Sequence, residues 1–473
     1  MMKKYILTFI ALATLWSCQT DEQYQNHNQD PKNPTDVGDD FLFTSSVKNL
    51  QDQLASPNVN FNIFRFISQY WTATTYLDEP NYNLNNRGIP DNHWSQLYRT
   101  VIFNIQDAKE RVQNNEYISE GEINARTAQL ELIEIYTWQI LVDTFGNIPY
   151  SDALQARENT LPKYDDAQEI YNDLISRVRA IDFGDSQGYS SADVIYGGDM
   201  SKWELFANSI QLRLGMRIAD FNPSLSQEVT EEAYSNGVFS SNSDNAILAY
   251  EANPPNTNPL WEDLVQSGRS DYVTANTIVD IMNNLEDPRR TAYFDDNLNS
   301  GDYIGGTYGA SNSFQNFTHV GEAFREPTHP GILMDYAEVA FLLSDAALNG
   351  YSVGSSAQEY YEQGITASIL YWGGTQPEAD SYLSQDDVSY NGSEQQLGTQ
   401  FWIAMYDNPF QGWNAWRTYD APEFNLPDDT GNEVPLRYTY PIDEQNLNEG
   451  NYNEASEAIG GDEQQTRIFW DVD

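Results

Sequence analysis

Apolar and polar positions follow a helical pattern between Tyr196 and Phe221. One apolar side is formed by residues three or four positions apart: Trp203, Phe206, Ile210, Leu214 and Ile218. A second apolar side is formed by Leu205, Leu212, Met216 and Ala219. A helix with two apolar sides packs between neighbours rather than on a surface. This segment therefore predicts a buried central helix.

The polar residues of the same segment predict where this helix begins and what its buried groups need. Ser201 is followed three residues later by Glu204, the spacing of a capping box, so the helix is expected to begin at Ser201. Arg213 and Arg217 lie one turn apart, and we expect each to meet a carboxylate or a helix C-terminus. Asn208 likewise needs hydrogen-bond partners. We interpret all of these residues as scaffold.

Helical patterns recur along most of the chain. Further helices are predicted over residues 92–108, 123–142, 165–181, 332–348, 357–372, 396–406 and 409–416. Asn349 and Gly350 separate two of them, and strand signals are few and short. The chain is therefore predicted to be mostly all-α. Successive helix pairs suggest tetratricopeptide-like hairpins, although their period is irregular.

The N-terminus has the organisation of a lipoprotein signal peptide. Lys3 and Lys4 precede an apolar stretch over residues 5–16 that is short for a bilayer span. Cys18, the only cysteine of the chain, follows directly and is interpreted as a lipidation site. We predict a signal peptide over residues 1–17, a lipidated flexible tether over residues 18–40 and a single helical ligand-binding domain over residues 41–473.

Composition excludes one class of ligand and favours another. The chain has 24 Lys and Arg against 71 Asp and Glu, a formal net charge of −47. Nucleic-acid binding depends on neutralising phosphates, so no nucleic-acid partner is expected. Polyanionic ligands are disfavoured for the same reason. A neutral ligand is the easier fit.

Two long polar loops carry aromatic side chains, at residues 76–94 and 300–332. Long loops without helix are uncommon in compact domains and are often functional. Flat aromatic rings beside amides or arginine suit the apolar face and hydroxyl rim of a sugar. The candidate ligand-binding residues are Tyr76, Tyr82, Arg87, Trp94, Tyr303, Tyr308, Phe314 and Phe317. Burial in the core is the alternative for these rings, above all for Trp94, which opens a helix.

No pattern of catalytic residues stands out. The chain has no Gly-x-Ser-x-Gly elbow, and its four histidines (His27, His93, His319 and His329) show no ligand spacing. The acidic run from Asp295 to Asp302 resembles a calcium loop, but its glycine is one place late and the closing acid is missing. We therefore predict a non-enzyme without a cofactor or metal, and a structural calcium ion stays an open alternative.

Several motifs in order resemble one family. The central run GGD-x-x-KW-x-x-FANS-x-x-LRL-x-MR begins at Gly197. Further matches are PGILMDYAEV from Pro330, NPFQGWNAWRTY from Asn408 and VPLRYTYP from Val434. Together they resemble the SusD/RagB family, on its SusD-like branch. One departure is the single Arg417, where many members have paired arginines.

The resemblance implies both a fold and a role. It implies four tetratricopeptide-like helix pairs that support a variable face of loops. It also implies a cell-surface lipoprotein of the outer membrane that delivers a neutral oligo- or polysaccharide to a SusC-like TonB-dependent transporter. Asp21 and Glu22, just behind the lipid site, resemble a surface-export signal. A peptide-binding RagB-like protein is the alternative, and a lipoprotein glycoside hydrolase is the third reading.

Overall fold

The computed structural model describes residues 37–155, 158–299 and 301–472. The predicted signal peptide, the lipidation site Cys18 and most of the predicted tether lie outside the described residues. The first described helix begins at Asp39, two residues earlier than the predicted start of the folded body.

The first half of the described chain is a succession of helices. They are α1 (Asp39–Ala55), α2 (Phe64–Ile67), α3 (Ile89–Gln96), α4 (Phe103–Gln113), α5 (Glu120–Phe145), α6 (Ala167–Arg179), α7 (Met200–Arg217) and α8 (Pro223–Asn236). A π-helical turn, Leu97–Ile102, joins α3 to α4, and a 3-10 turn spans Ser190–Ala192.

The second half contains shorter helices and more loop. They are α9 (Pro259–Trp261), α10 (Asn276–Asn284), α11 (Arg290–Tyr293), α12 (Tyr336–Leu348), α13 (Ala357–Tyr371), α14 (Gln376–Leu383), α15 (Glu394–Ala404), α16 (Pro409–Tyr419), α17 (Ile442–Leu447) and α18 (Glu449–Ala458). A π-helical turn spans Glu262–Gln266, and 3-10 turns span Asn242–Asp244, Glu322–Arg325 and Met405–Asp407.

Among the described residues, four short strands form two small antiparallel sheets. They are β1 (Trp71–Ala73), β2 (Ala246–Leu248), β3 (Tyr272–Thr274) and β4 (Gly331–Met334). In the first sheet Trp71 pairs with Thr274 and Ala73 with Tyr272, and in the second Ala246 pairs with Met334. The prediction of a mostly helical fold with few short strands is confirmed.

Much of the body is built from helices that pack in pairs. The helix α1 packs on α4, α5 on α6, α7 on α8, and α12 on α13. The helices α15 and α16 form a further pair. At Gly215 the pair of α7 and α8 approaches so closely that an added Cβ would lie 2.7 Å from the Thr230 hydroxyl. Only glycine permits this crossing.

The central helix α7 is buried as predicted, but it begins earlier. All five residues of its first apolar side are buried, at 3% exposure or less. The N-cap is Asp199, whose carboxylate accepts from the backbone of Ser201 at 3.2 Å and Lys202 at 3.4 Å. The prediction of Ser201 as the cap was wrong, because the Asp199 side chain already satisfies these free N–H groups.

The buried polar groups of α7 have the partners that the sequence required. Arg213 binds Glu338 of α12 through two parallel hydrogen bonds of 2.6 and 2.9 Å, and both side chains are 1% exposed. Arg217 lies 3.8 Å from the Asp143 carboxylate of α5. The Asn208 amide donates to the Gly237 carbonyl at 2.8 Å. These contacts tie α7 to three other parts of the body.

Candidate ligand-binding cleft

A polar cleft of about 320 Å³ opens beside the sheet of β1 and β3. Its walls come from the loop before α2, from the loop after β1 and from the segment that leads into β3. The lining residues are Asn58, Val59, Asn60, Phe66, Ala73, Thr75, Tyr76, Glu79, Arg87, Asp263, Arg269, Asp271 and Tyr272. Two of the predicted site residues, Tyr76 and Arg87, are therefore in this cleft.

Tyr76 is the exposed aromatic ring of the cleft. Its side chain is 55% exposed, and the guanidinium groups of Arg87 and Arg269 lie 5.5 and 5.4 Å from its ring centroid. The backbone of Tyr76 has a φ of 61°, a conformation that a bulky residue seldom adopts. The surrounding loop thus holds the backbone of Tyr76 in a conformation that costs energy. An exposed ring flanked by hydrogen-bond donors matches the chemistry of a sugar site.

Each arginine of the cleft is held by a carboxylate. Arg87 forms an ion pair with Glu79 through its Nε. Arg269 binds both oxygens of Asp271, with an Nη2–Oδ1 distance of 3.1 Å for one of the two bonds. A guanidinium has five N–H donors, so each arginine keeps donors to offer to a ligand.

Carboxylates at the base of the cleft provide the acceptors. The Glu79 side chain is 0% exposed, and its Oε2 has no hydrogen-bond partner. Burial, reinforced by the nearby charges of Glu262 and Asp271, raises the pKa of Asp263 to about 6. A buried acceptor without a donor is costly, and a bound ligand can supply that donor.

A second, smaller cleft of about 30 Å³ shares a wall with the first. The shared residues are Arg269, Asp271 and Tyr272. The predicted residue Phe314 lines this second cleft, and its ring stacks on His319 with centroids 3.8 Å apart. The two predicted aromatic loops therefore meet on either side of Arg269.

Two predicted site residues lie inside the body. Tyr82 is 2% exposed and Tyr308 is 1% exposed, and their rings pack together at 5.9 Å. The Tyr82 hydroxyl accepts from the Gln69 amide at 3.0 Å, and the Tyr308 hydroxyl donates to the Phe66 carbonyl at 2.7 Å. The expectation that these rings are presented to a ligand was wrong, because satisfied hydroxyls allow tyrosine to anchor both loops in the core.

The other three predicted residues lie away from the cleft. Trp94 is half-buried against Tyr98 and Phe145 and lines a separate cavity of about 280 Å³. Tyr303 is half-buried, with its ring 5.4 Å from that of Phe294. Phe317 is also half-buried, and no lining of the two adjoining clefts includes it. The structure thus places Tyr76 and Arg87 in one cleft and Phe314 in the adjoining one.

Sequence reasoning missed one wall of the cleft. Asp263, Arg269 and Asp271 come from the segment before β3, which was not selected as a candidate loop. The signal was the run Ser267-Gly268-Arg269-Ser270-Asp271, where small residues flank two charges. Glu79 lay within the first predicted loop. Only the structure shows that it is buried and that one of its two carboxylate oxygens lacks a hydrogen-bond partner.

Another cavity is larger but has fewer aromatic and charged donor groups that suit a sugar. It encloses about 460 Å³ between α13, α14 and the 3-10 turn at Asn242–Asp244. Tyr336 is its one aromatic lining residue, and no arginine lines it. We prefer the smaller cleft because it combines an exposed ring with charged donors and a buried acceptor. Across the described residues, no three side chains of His, Cys, Asp or Glu are grouped to hold a metal ion.

Comparison with known proteins assigns the family. Residues 31–441 match the model of the SusD-like_2 family, described as starch-binding and associating with the outer membrane. The chain belongs to the SusD-like family. No curated protein sequence matches it significantly. The SusD-like family is a family of carbohydrate-binding, outer-membrane-associated proteins.

Solved structures of SusD homologues share the fold of this SusD-like protein. A chitin-binding SusD homologue from Flavobacterium johnsoniae has a TM-score of 0.78 at 24% identity, covering 91% of this chain and 99% of its own. A SusD homologue from Bacteroides uniformis also has a TM-score of 0.78, at 25% identity, with 92% and 100% covered. One from Bacteroides thetaiotaomicron has 0.76 at 24% identity, with 90% and 98% covered.

No helix in the described part of the chain has the length and apolar character needed to cross a membrane.

Proposed function

We propose that this SusD-like protein captures a glycan at the cell surface and delivers it to a SusC-like TonB-dependent transporter. It is tethered to the outer membrane through lipid on Cys18 and does not catalyse a reaction. The observation that carries the proposal is the exposed Tyr76 ring with Arg87 and Arg269 beside it in one cleft. The family description as starch-binding and the chitin-binding neighbour support a carbohydrate ligand.

The geometry of the cleft supports a sugar more than a peptide. An aromatic ring packs well against the apolar face of a pyranose, and the arginine donors suit its hydroxyl oxygens. A peptide-capturing role on the same scaffold is the alternative, since amide groups also use such donors. A glycoside hydrolase is the third candidate, because the carboxylates Glu79, Asp263 and Asp271 line the cleft.

Affinity electrophoresis separates these three functions. The purified body from Asp39 onwards is run on native gels that contain starch, soluble chitin or other neutral polysaccharides. Retardation by a polysaccharide supports the proposal, whereas binding of peptides without any retardation favours the alternative. Release of reducing ends by the purified protein favours the hydrolase.

Two variants locate the binding in the cleft. Tyr76→Ala should reduce the retardation, whereas Tyr117→Ala should not, because Tyr117 is 97% exposed and lies outside the cleft. Equal retardation of both variants would place the ligand elsewhere.

The anchor and the transporter need their own tests. Cys18→Ser should release the protein from outer membranes, and continued membrane retention would contradict the lipid tether. Purification of the membrane-bound wild type should recover a TonB-dependent barrel protein. Its absence under mild detergent would contradict the partnership.

A further inference from the structure

The charges of the cleft select the kind of sugar it accepts. Three carboxylates line it, those of Glu79, Asp263 and Asp271, against the two guanidiniums of Arg87 and Arg269. Glu79 is paired with Arg87, and Asp271 with Arg269. No lysine or arginine forms an ion pair with Asp263 in the described part of the chain. The cleft therefore carries one uncompensated negative charge.

The hydrogen-bonding groups of the cleft also favour a ligand that donates hydrogen bonds. Glu79 Oε2 is buried and lacks a donor, although Oε1 of the same carboxylate binds Arg87. A buried carboxylate oxygen forms its strongest hydrogen bonds with a charged donor. Glu262 is adjacent to Asp263 and adds further negative potential, which the charge of Arg269 partly offsets. Both observations indicate a ligand that brings a positively charged N–H group.

We propose, on the basis of the proposed function, that the cleft recognises a glycan with a free amino group, such as a glucosamine unit. The ammonium group lies in the negative field of Asp263, next to the half-paired carboxylate of Glu79. The Tyr76 ring supports the apolar face of the same sugar or of its neighbour. Glycans with carboxylate or sulfate groups are excluded by the same charges.

Three β-1,4-linked tetrasaccharides that differ only at carbon 2 test this specificity. They carry a hydroxyl, an N-acetyl or a free amino group, as in glucose, N-acetylglucosamine and glucosamine. Titration calorimetry slightly below neutral pH should show the glucosamine compound binding about fivefold to tenfold more tightly, the effect of one charge pair in a partly hydrated site. The preference should weaken as salt is added.

Lowering the pH tests the contribution of the Asp263 carboxylate. The amine stays protonated at low pH, whereas burial and the charges of Glu262 and Asp271 raise the pKa of Asp263 to about 6. Protonation of Asp263 then removes the negative charge, so the preference for the amino sugar should fade as the pH falls through about 6.

A matched pair of variants assigns the effect to one side chain. Asp263→Asn should remove most of the preference for the glucosamine compound over the glucose compound. Asp280→Asn removes one charge from the exposed side of α10, outside the cleft, and should keep the preference. Equal loss in both variants would mean that only the net charge of the protein matters and would overturn the proposal.

The possible outcomes separate this inference from the proposed function. Equal or tighter binding of the glucose or N-acetylglucosamine compound overturns the amino-sugar inference. Failure of all three tetrasaccharides to bind a protein that is still retarded by a polysaccharide overturns it as well. A protein that no polysaccharide retards would instead contradict the proposed function.

Discussion

Two tyrosines six positions apart in one loop should respond in opposite ways to the same substitution. Tyr76 is 55% exposed in the cleft, whereas Tyr82 is 2% exposed and packs on Tyr308. Tyr76→Ala should weaken glycan binding and leave the melting temperature unchanged. Tyr82→Ala should lower the melting temperature, because it empties a core position and removes a satisfied hydroxyl.

The magnitudes follow from what each ring contacts. An aromatic ring that supports a sugar contributes about 1 kcal/mol beyond its buried area, so Tyr76→Ala should weaken binding about fivefold or more. Truncating a buried aromatic residue costs about 3–5 kcal/mol of unfolding free energy. The entropy of unfolding is about 2 cal/mol/K per residue. For a body of this length, that loss of unfolding free energy therefore lowers the melting temperature by about 4 °C.

The assay combines titration calorimetry with scanning calorimetry on the same preparations. The exposed Tyr117 provides the matched control, and Tyr117→Ala should change neither quantity. A Tyr82→Ala protein that melts like the wild type would refute the burial argument. Unchanged affinity of Tyr76→Ala would refute the assignment of the cleft.

Three further predictions concern the body. Phe206→Ala should cost about 3–5 kcal/mol in chemical denaturation, because this α7 ring is fully buried, and a cost below about 1 kcal/mol would contradict that burial. Glu338→Ala should destabilise by about 3–5 kcal/mol, since it leaves Arg213 buried without a countercharge, and the added change Arg213→Met should recover part of the loss. Burial raises the pKa of Asp345 to about 7, above its ordinary value of 3.8, so the native state binds its proton more tightly than the unfolded chain. The contribution of Asp345 to stability therefore falls as the pH rises from about 4 to 7. When the midpoint of chemical denaturation is plotted against pH, Asp345→Asn should make this part of the curve flatter. An equally steep curve would contradict the prediction.

The helical body could be predicted from the sequence because its periodicity is local. The apolar sides of α7 and the break at Asn349 and Gly350 depend on residues a few positions apart, and the structure has them as expected. Even the polar requirement of Arg213 was visible, since a buried guanidinium needs a carboxylate. The sequence could not identify that carboxylate as Glu338, because 125 positions separate the two residues.

The candidate site was predicted less well because loop burial is decided at long range. Tyr76 and Tyr82 have similar polar neighbours in sequence. Gln69 donates to the Tyr82 hydroxyl inside the core, whereas Tyr76 is exposed beside the guanidinium groups of the cleft. Arg269 and Asp271 reach the cleft because β3 pairs with β1, a contact between segments about two hundred residues apart. No local pattern contains that pairing.

The position of a bound sugar tests the account most directly. Crystals of the body should be soaked with an oligosaccharide that retards the protein on native gels. We predict electron density for a sugar ring against Tyr76, within hydrogen-bonding distance of Arg87 or Arg269. A ring bound only in the cavity beside Trp94 or in that beside Tyr336 would contradict the assignment of the cleft.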